Sequence, residues 1–274
     1  KEFFKKNETV DIVILGPGIE IFKNIIDCVV EQKPLDDLQG ITYMKNGELV
    51  KNPSLPKQHQ PLLINWAQNL REEAIQIITD YHKLYNKVIV QTYYFHGCPY
   101  SCSFCEQGLS IWSKINKRPI EYLYREIDFI CEMADNDAPD RNMELEFLDS
   151  NFGITSEYKD IMRYFLDTNL AHGNKVVLGN QAFAKNNTDT VFDIHRMIRE
   201  STMPRSKQPW QGYIALQDTN EDVMRLNGRP PSKEWEKLKE FKKLTGGDRF
   251  KLNQVDLIIG LPGQSYETLS STLY

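Results

Sequence analysis

The sequence predicts an α/β protein: a parallel sheet or barrel of strands with outer helices, preceded by the tail of a separate α/β unit. Three observations predict it. From Val88 onward, strand-length apolar runs alternate with helix-length amphipathic segments five times, which is the pattern of a parallel sheet. A proline-bearing stretch, with Pro53, Pro56 and Pro61, separates this series from what precedes it, as linkers do. Three cysteines, Cys98, Cys102 and Cys105, crowd the loop after the first strand of the series. In such barrels that end of the strands carries the chemistry.

The elements follow in order. Residues 11–15 read as a buried strand ending at Gly16-Pro17-Gly18, and a helix from about Glu20 to Glu31 puts Ile21, Ile25 and Val29 on one face with Phe22 and Ile26 beside them. Residues 41–44 and 48–50 flank Lys45-Asn46-Gly47, a tight-turn signal. Residues 1–55 are thus expected to be one remnant, 56–86 a linker and helix (the helix from about Trp66 to Tyr85), and 87–274 the barrel. In the barrel, strands are expected at 88–94, 143–148, 175–178, 213–217 and 255–259. Helices are expected at 120–134, 157–168, 190–200 and 232–244, and a last one begins near Tyr266. Fewer residues follow Lys87 than the roughly 250 of an eight-fold barrel. The first residue is Lys1 rather than Met, so the chain is expected to be truncated at both ends.

Composition narrows the function classes. Formal net charge is −5, and no dense run of Lys and Arg suggests a nucleic-acid groove. No apolar run approaches the ~18 residues of a membrane span, and no secretory leader opens the chain. An odd number of cysteines with one tight cluster argues for a reducing cytoplasm rather than a disulfide framework. Cys28 and Cys131 are expected to be small core residues. His59, His82, His172 and His195 show no ligand spacing.

The spacing C-x3-C-x2-C places three thiolates on one loop, more than a core needs. An ordinary four-iron cluster takes four cysteines, one per iron. Three would leave one iron open, and an open position is where catalytic metal sites bind substrate. A zinc site, with His96 as a fourth ligand, and buried structural thiols are the alternatives. Tyr93, Tyr94, Phe95 and Trp112 flank the cysteines, as a shield or as core.

This cluster, with Phe104 before the third cysteine, resembles the signature of the radical S-adenosylmethionine (SAM) enzymes. The likeness extends along the chain to the branch with an N-terminal cobalamin-binding domain. It includes Lys117-Arg118-Pro119 and Arg125-Glu126, Leu148-Asp149-Ser150-Asn151-Phe152, Ala215-Leu216-Gln217-Asp218, Asn227-Gly228-Arg229, and Asp256-Leu257-Ile258-Ile259-Gly260-Leu261-Pro262-Gly263-Gln264.

The resemblance implies a radical SAM type of partial barrel, with five of about six βα units here, preceded by a Rossmann-like remnant. It implies a 4Fe–4S cluster on Cys98, Cys102 and Cys105 that binds SAM and cleaves it to a 5′-deoxyadenosyl radical. Phe104, Asp149, Asn151, Gln217, Ile258 and Gly260 would meet SAM. For Asp149 and Asn151 a helix N-cap is the alternative; for Arg229, a solvated loop charge is favoured. Gly16 and Gly18 would lie by the cobalamin tail.

Methyl transfer to an unactivated centre is the chemistry implied, on a small-molecule or peptide substrate. Flavodoxin or ferredoxin would be the electron donor. The alternatives are a radical cyclase or rearrangement enzyme, or a zinc-stabilised binding module. Glu144 and Glu146 alternate with Leu145 and Phe147, so that strand is expected to present an acidic face inward.

Overall fold

The computed structural model describes residues 2–7, 9–16, 18–55, 65–85, 87–108, 113–136, 142–179, 181–182, 188–203, 212–230 and 252–273. Two compact units divide the chain, Lys1–Ile64 and Asn65–Tyr274.

The first unit holds α1 (Glu2–Lys6), β1 (Ile12–Ile14), α2 (Gly18–Val30), β2 (Ile41–Lys45) and β3 (Glu48–Lys51). Asn46 and Gly47 both take positive φ, as a tight hairpin turn requires, and set Lys45 opposite Glu48. β1 also pairs antiparallel with β2. The described strands of this unit are therefore all antiparallel, unlike the parallel pairs of a Rossmann-like sheet. Ile21 and Ile25 of α2 pack on Ile41 and Tyr43. Val29, expected on the same face, is exposed together with Phe22 and Ile26. A sheet of three short strands covers little more than one helical turn. Cys28 is half-buried there rather than in a core.

The second unit opens with α3 (Trp66–Asn69) and α4 (Arg71–Tyr85). The single expected helix is broken at Leu70, the C-cap of α3, and Asn65 accepts from the Gln68 amide to start it. Residues 56–64 of the expected linker lie outside the described residues. Ala67 and Ile78 are buried in one core with Val88, so these helices belong to the barrel unit rather than to a connector.

β4 (Lys87–Thr92) follows, then a short ladder of β5 (Phe95–His96) with β6 (Asn116–Lys117). The remaining elements are α5 (Ile120–Asn136), β7 (Asn142–Phe147), α6 (Glu157–Ala171), β8 (Val176–Leu178), β9 (Gln181–Ala182), α7 (Thr188–Glu200), β10 (Gly212–Gln217), α8 (Glu221–Leu226), β11 (Leu252–Leu257) and α9 (Tyr266–Leu273). The helix expected over 232–244 lies outside the described residues.

β4, β7 and β8 form one parallel sheet in that order, and β9, β10 and β11 a second. Among the described residues they do not close into a barrel. On β7, Met143, Leu145 and Phe147 are buried against the helices with Leu123, Ile127, Ile161, Phe165 and Ile194. Burying these apolar faces is what holds helix to sheet. The opposite face of β7 carries the acids. Glu144 pairs with Lys87 at 2.7 Å and Glu146 accepts from Gln91 at 2.8 Å. Cys131 lies in the apolar core, and burial pushes its thiol up to about 12.

Candidate functional site

The cysteine loop leaves β4 and returns through β6. Phe95 opposite Lys117 and His96 opposite Asn116 close its base, and the Arg118 amide donates to the Tyr94 carbonyl at 2.9 Å. Inside, Cys105 N–H donates to Cys102 O at 3.1 Å and Gly108 N–H to Cys105 O at 2.9 Å. These consecutive turns coil the backbone around the cysteines. A Cβ at Gly108 would collide with the Cys102 carbonyl. Cys98 and Cys102 are buried, Cys105 is half-buried, and all three are free thiols.

Three buried polar devices hold this loop. Arg118 and Glu126 form an ion pair that is almost wholly shielded from solvent. Glu126 also accepts from Thr92 Oγ1 at 2.5 Å, and Arg118 donates to the Tyr93 carbonyl at 2.9 Å. The guanidinium lies 4.5 Å over the Tyr93 ring. The end of β4, the loop's return and the start of α5 thus share one charge pair.

The second device is Asp149. Its Oδ1 accepts from the amides of Tyr94 and Phe95 at 2.9 and 2.7 Å. Burial pushes its carboxyl up to about 6, opposed by the amide of Phe95, the Tyr158 hydroxyl and the amide of Tyr94. The folded protein therefore holds this proton where the unfolded chain has released it. Stability from this group is full below about pH 4 and is lost as pH rises through about 6, on the order of 3 kcal/mol. Asp149→Asn keeps an acceptor for both amides and cannot ionise. It should flatten the fall in urea midpoint between about pH 4 and 6.5; a variant with the parental pH slope would show that another group titrates.

The third device is Asn227. Its Oδ1 accepts from Ser103 Oγ at 3.0 Å, its carbonyl from the Ser103 amide at 3.0 Å, and its Nδ2 donates to Pro262 O at 3.0 Å. Gly228 takes φ +65°, and a Cβ there would stand 2.7 Å from Ser101 O. The cysteine loop, the end of α8 and the loop after β11 are thereby one assembly.

That assembly brings Phe104 and Ile258 onto a shared apolar cluster with Val223, Met224 and Leu261. Gly260 has φ +93° with open space where a Cβ would stand. Its amide donates to Gln264 Oε1 at 2.6 Å, while Gln264 Nε2 donates to Asp218 at 2.6 Å and to Ile258 O at 3.0 Å.

Gln217, beside Asp218, takes φ +69° at an irregularity in the β10–β11 register. Its Oε1 is buried without a hydrogen-bond partner. A non-glycine residue strained at a strand end, with an orphaned acceptor, is the local signature of a ligand site. Asn151 is wholly buried, donates from Nδ2 to Cys98 Sγ at 3.2 Å, and also has an unpartnered Oδ1.

Several expectations are refined. Neither Asp149 nor Asn151 caps α6, whose N-cap is Ser156. Asp149 Oδ1 is committed to the loop's backbone. Arg229 is not a solvated charge: it is buried and donates to the Ala215 carbonyl. Tyr94 and Phe95 pack edge-on against Tyr158 as core, and Trp112 lies outside the described residues.

His96 rests 4.3 Å from the Tyr93 ring, and burial with the Arg118 charge lowers its pKa. In the first unit, Gly16 (φ +117°) and Gly18 both have open space above Cα, and Pro17 between them lies outside the described residues. A groove of about 900 Å³ between α4 and β4 is lined by none of these residues, so chemistry rather than volume picks out the site.

Among the described residues no three His, Cys, Asp or Glu side chains are gathered as a bound metal would hold them. A zinc ion would take its donors around one point, whereas a cubane takes each thiolate on a different iron. No helix among the described residues is long and apolar enough to cross a membrane.

No family model matches the chain. It is 26% identical over 274 residues to the 2-(S-pantetheinyl)-carbapenam-3-carboxylate methyltransferase of Streptantibioticus cattleyicolor, across 96% of this chain and 37% of that protein. It is also 26% identical over 277 residues to the cobalamin-dependent radical SAM methyltransferase TokK of Streptomyces tokunonensis, across 95% of this chain and 36% of that protein. The chain is a relative of the cobalamin-dependent radical SAM proteins.

The radical SAM methyltransferase TsrM of Kitasatospora setae, solved with tryptophan and a SAM analogue, superposes with a TM-score of 0.62. The match covers 98% of this chain and 49% of TsrM at 14% identity, so it speaks for the fold. The chain spans a little over a third of the length of the two curated methyltransferases it matches.

Proposed function

We propose that the protein is a radical SAM enzyme that seats a 4Fe–4S cluster on Cys98, Cys102 and Cys105 and acts in cobalamin-assisted methyl transfer to an unactivated centre. The observation that carries this is the loop itself. Three thiols lie at the end of the first parallel strand, joined through Asn227 to the loop after β11, in a chain similar over 95% of its length to the cobalamin-dependent radical SAM methyltransferase TokK.

When bound, the cluster supplies the electron that splits SAM into methionine and a 5′-deoxyadenosyl radical. The chain's own residues position the reactants. Two thiols are buried, which limits water at the site. Phe104 and Ile258 would wall the adenine, and the bare backbone of Gly260 would let it approach closely. The orphaned Oδ1 of Asn151 is an acceptor suited to the SAM ammonium, and that of Gln217 to a ribose hydroxyl. Asp149 acts one step back, holding the amides that lead into the cysteine loop. Gly16 and Gly18 would flank the cobalamin tail. The substrate is proposed to be a small molecule, and the electron to come from a flavodoxin or ferredoxin.

Products decide between methyl transfer and other radical chemistry. Incubated anaerobically with SAM, hydroxocobalamin and a strong reductant, so that reduced cobalamin is present to accept the SAM methyl, the reconstituted protein should yield S-adenosylhomocysteine together with 5′-deoxyadenosine. Deoxyadenosine alone would point to a cyclase or rearrangement. Gln217→Ala should weaken SAM binding about 5- to 30-fold, the worth of one buried hydrogen bond, at unchanged iron content. Equal SAM affinity in equilibrium dialysis would remove Gln217 from the site.

A further inference from the structure

Asn151 stands out because its two ends are treated differently. Its Nδ2 lies 3.2 Å from Cys98 Sγ. Its Oδ1 is buried with no partner, so the amide is set by what its nitrogen meets. The side chain reaches from the loop after β7 to the loop after β4, and its backbone is fixed by the Ile154 amide donating to Asn151 O at 3.1 Å. Turning the amide over would place a carbonyl oxygen against the sulfur, and a thiolate can only accept. Both partners are shielded from water, where a hydrogen bond to a charged group is worth most.

We propose, resting on the cluster reading above, that Asn151 is a positioning residue that raises the reduction potential of the cluster through its N–H···S bond to Cys98. One-electron reduction adds negative charge that spreads onto the sulfurs. A donor aimed at a ligand sulfur stabilises the reduced form more than the oxidised one, and hydrogen bonds to sulfur are among the terms that set these potentials. The bond also orients Cys98, since it ties the first ligand to a different strand end.

The test is a redox titration of reconstituted protein, followed by EPR, without SAM. Asn151→Leu keeps the approximate volume and removes the donor. Its midpoint should fall by the equivalent of about tenfold in the one-electron equilibrium, about 59 mV, with iron and sulfide as in the wild type. A full iron complement with an unmoved midpoint overturns the inference and leaves the functional reading standing. Wild-type protein labelled with ¹⁵N-asparagine gives a reading that does not depend on the variant folding. Pulsed EPR of the reduced cluster should show a coupled ¹⁵N, and its absence equally overturns the proposal. Wild-type protein that holds no iron and sulfide removes the cluster reading and this inference together.

Discussion

Cys102→Ala should abolish cluster assembly and SAM cleavage together. Cys102 is the middle and most buried of the three thiols, and its carbonyl already anchors the turn to Cys105. The alanine variant keeps that backbone bond, and Gly108 packs on the Cys102 backbone rather than on its sulfur. The apo fold should therefore survive with little change in urea midpoint. Only the ligand is lost, and a cubane held by two protein thiolates has two open corners and weak retention. Iron should fall from about four per chain toward background, with 5′-deoxyadenosine formation falling alongside it. Normal SAM cleavage by this variant would place the cluster elsewhere.

The largest stability effect is expected at Glu126. Glu126→Leu removes one half of a buried ion pair and strands the Arg118 guanidinium between the Tyr93 carbonyl and the Tyr93 ring. An uncompensated buried charge costs about 3–5 kcal/mol. Because Arg118 also lies at the return of the cysteine loop, iron uptake should fall as well. Joint replacement, Arg118→Met with Glu126→Leu, should recover part of the loss, since a buried pair exchanged for apolar side chains is often close to neutral. Chemical denaturation of the two single variants and the double reads this directly. A loss below about 1 kcal/mol in Glu126→Leu would mean that water reaches the pair.

Much of the barrel unit was legible because periodicity and burial coincide there. On β7, Met143, Leu145 and Phe147 alternate with Glu144 and Glu146, and the structure divides them between the helix side and the opposite face of the strand. α5 and α6 begin at Ile120 and Glu157, where their apolar stripes begin. The three cysteines were legible from spacing alone. Less visible was how polar residues would be used.

Asp149 reads as a SAM contact or a helix cap, Arg229 as a solvated loop charge and Asn227 only as part of a matching stretch, because a single sequence does not reveal which buried backbone groups need a partner. The structure spends them on the amides of Tyr94 and Phe95, on Ser103 and Pro262, and on the Ala215 carbonyl. The short helix α8 was missed because six residues give too short a stripe, although Asn220 followed by Glu221 and Asp222 is a helix-start signal. In the first unit the apolar stripe of α2 suggested more burial than three short strands supply, which is why Val29 stands exposed.

The most direct measurement is iron and sulfide analysis after anaerobic reconstitution, with EPR of the reduced protein before and after adding SAM. About four irons with matching sulfide, and a signal whose g-values move when SAM is added, are the expected result of three thiolates leaving one iron open. A colourless protein holding a single zinc, or a cluster whose signal ignores SAM, would contradict it.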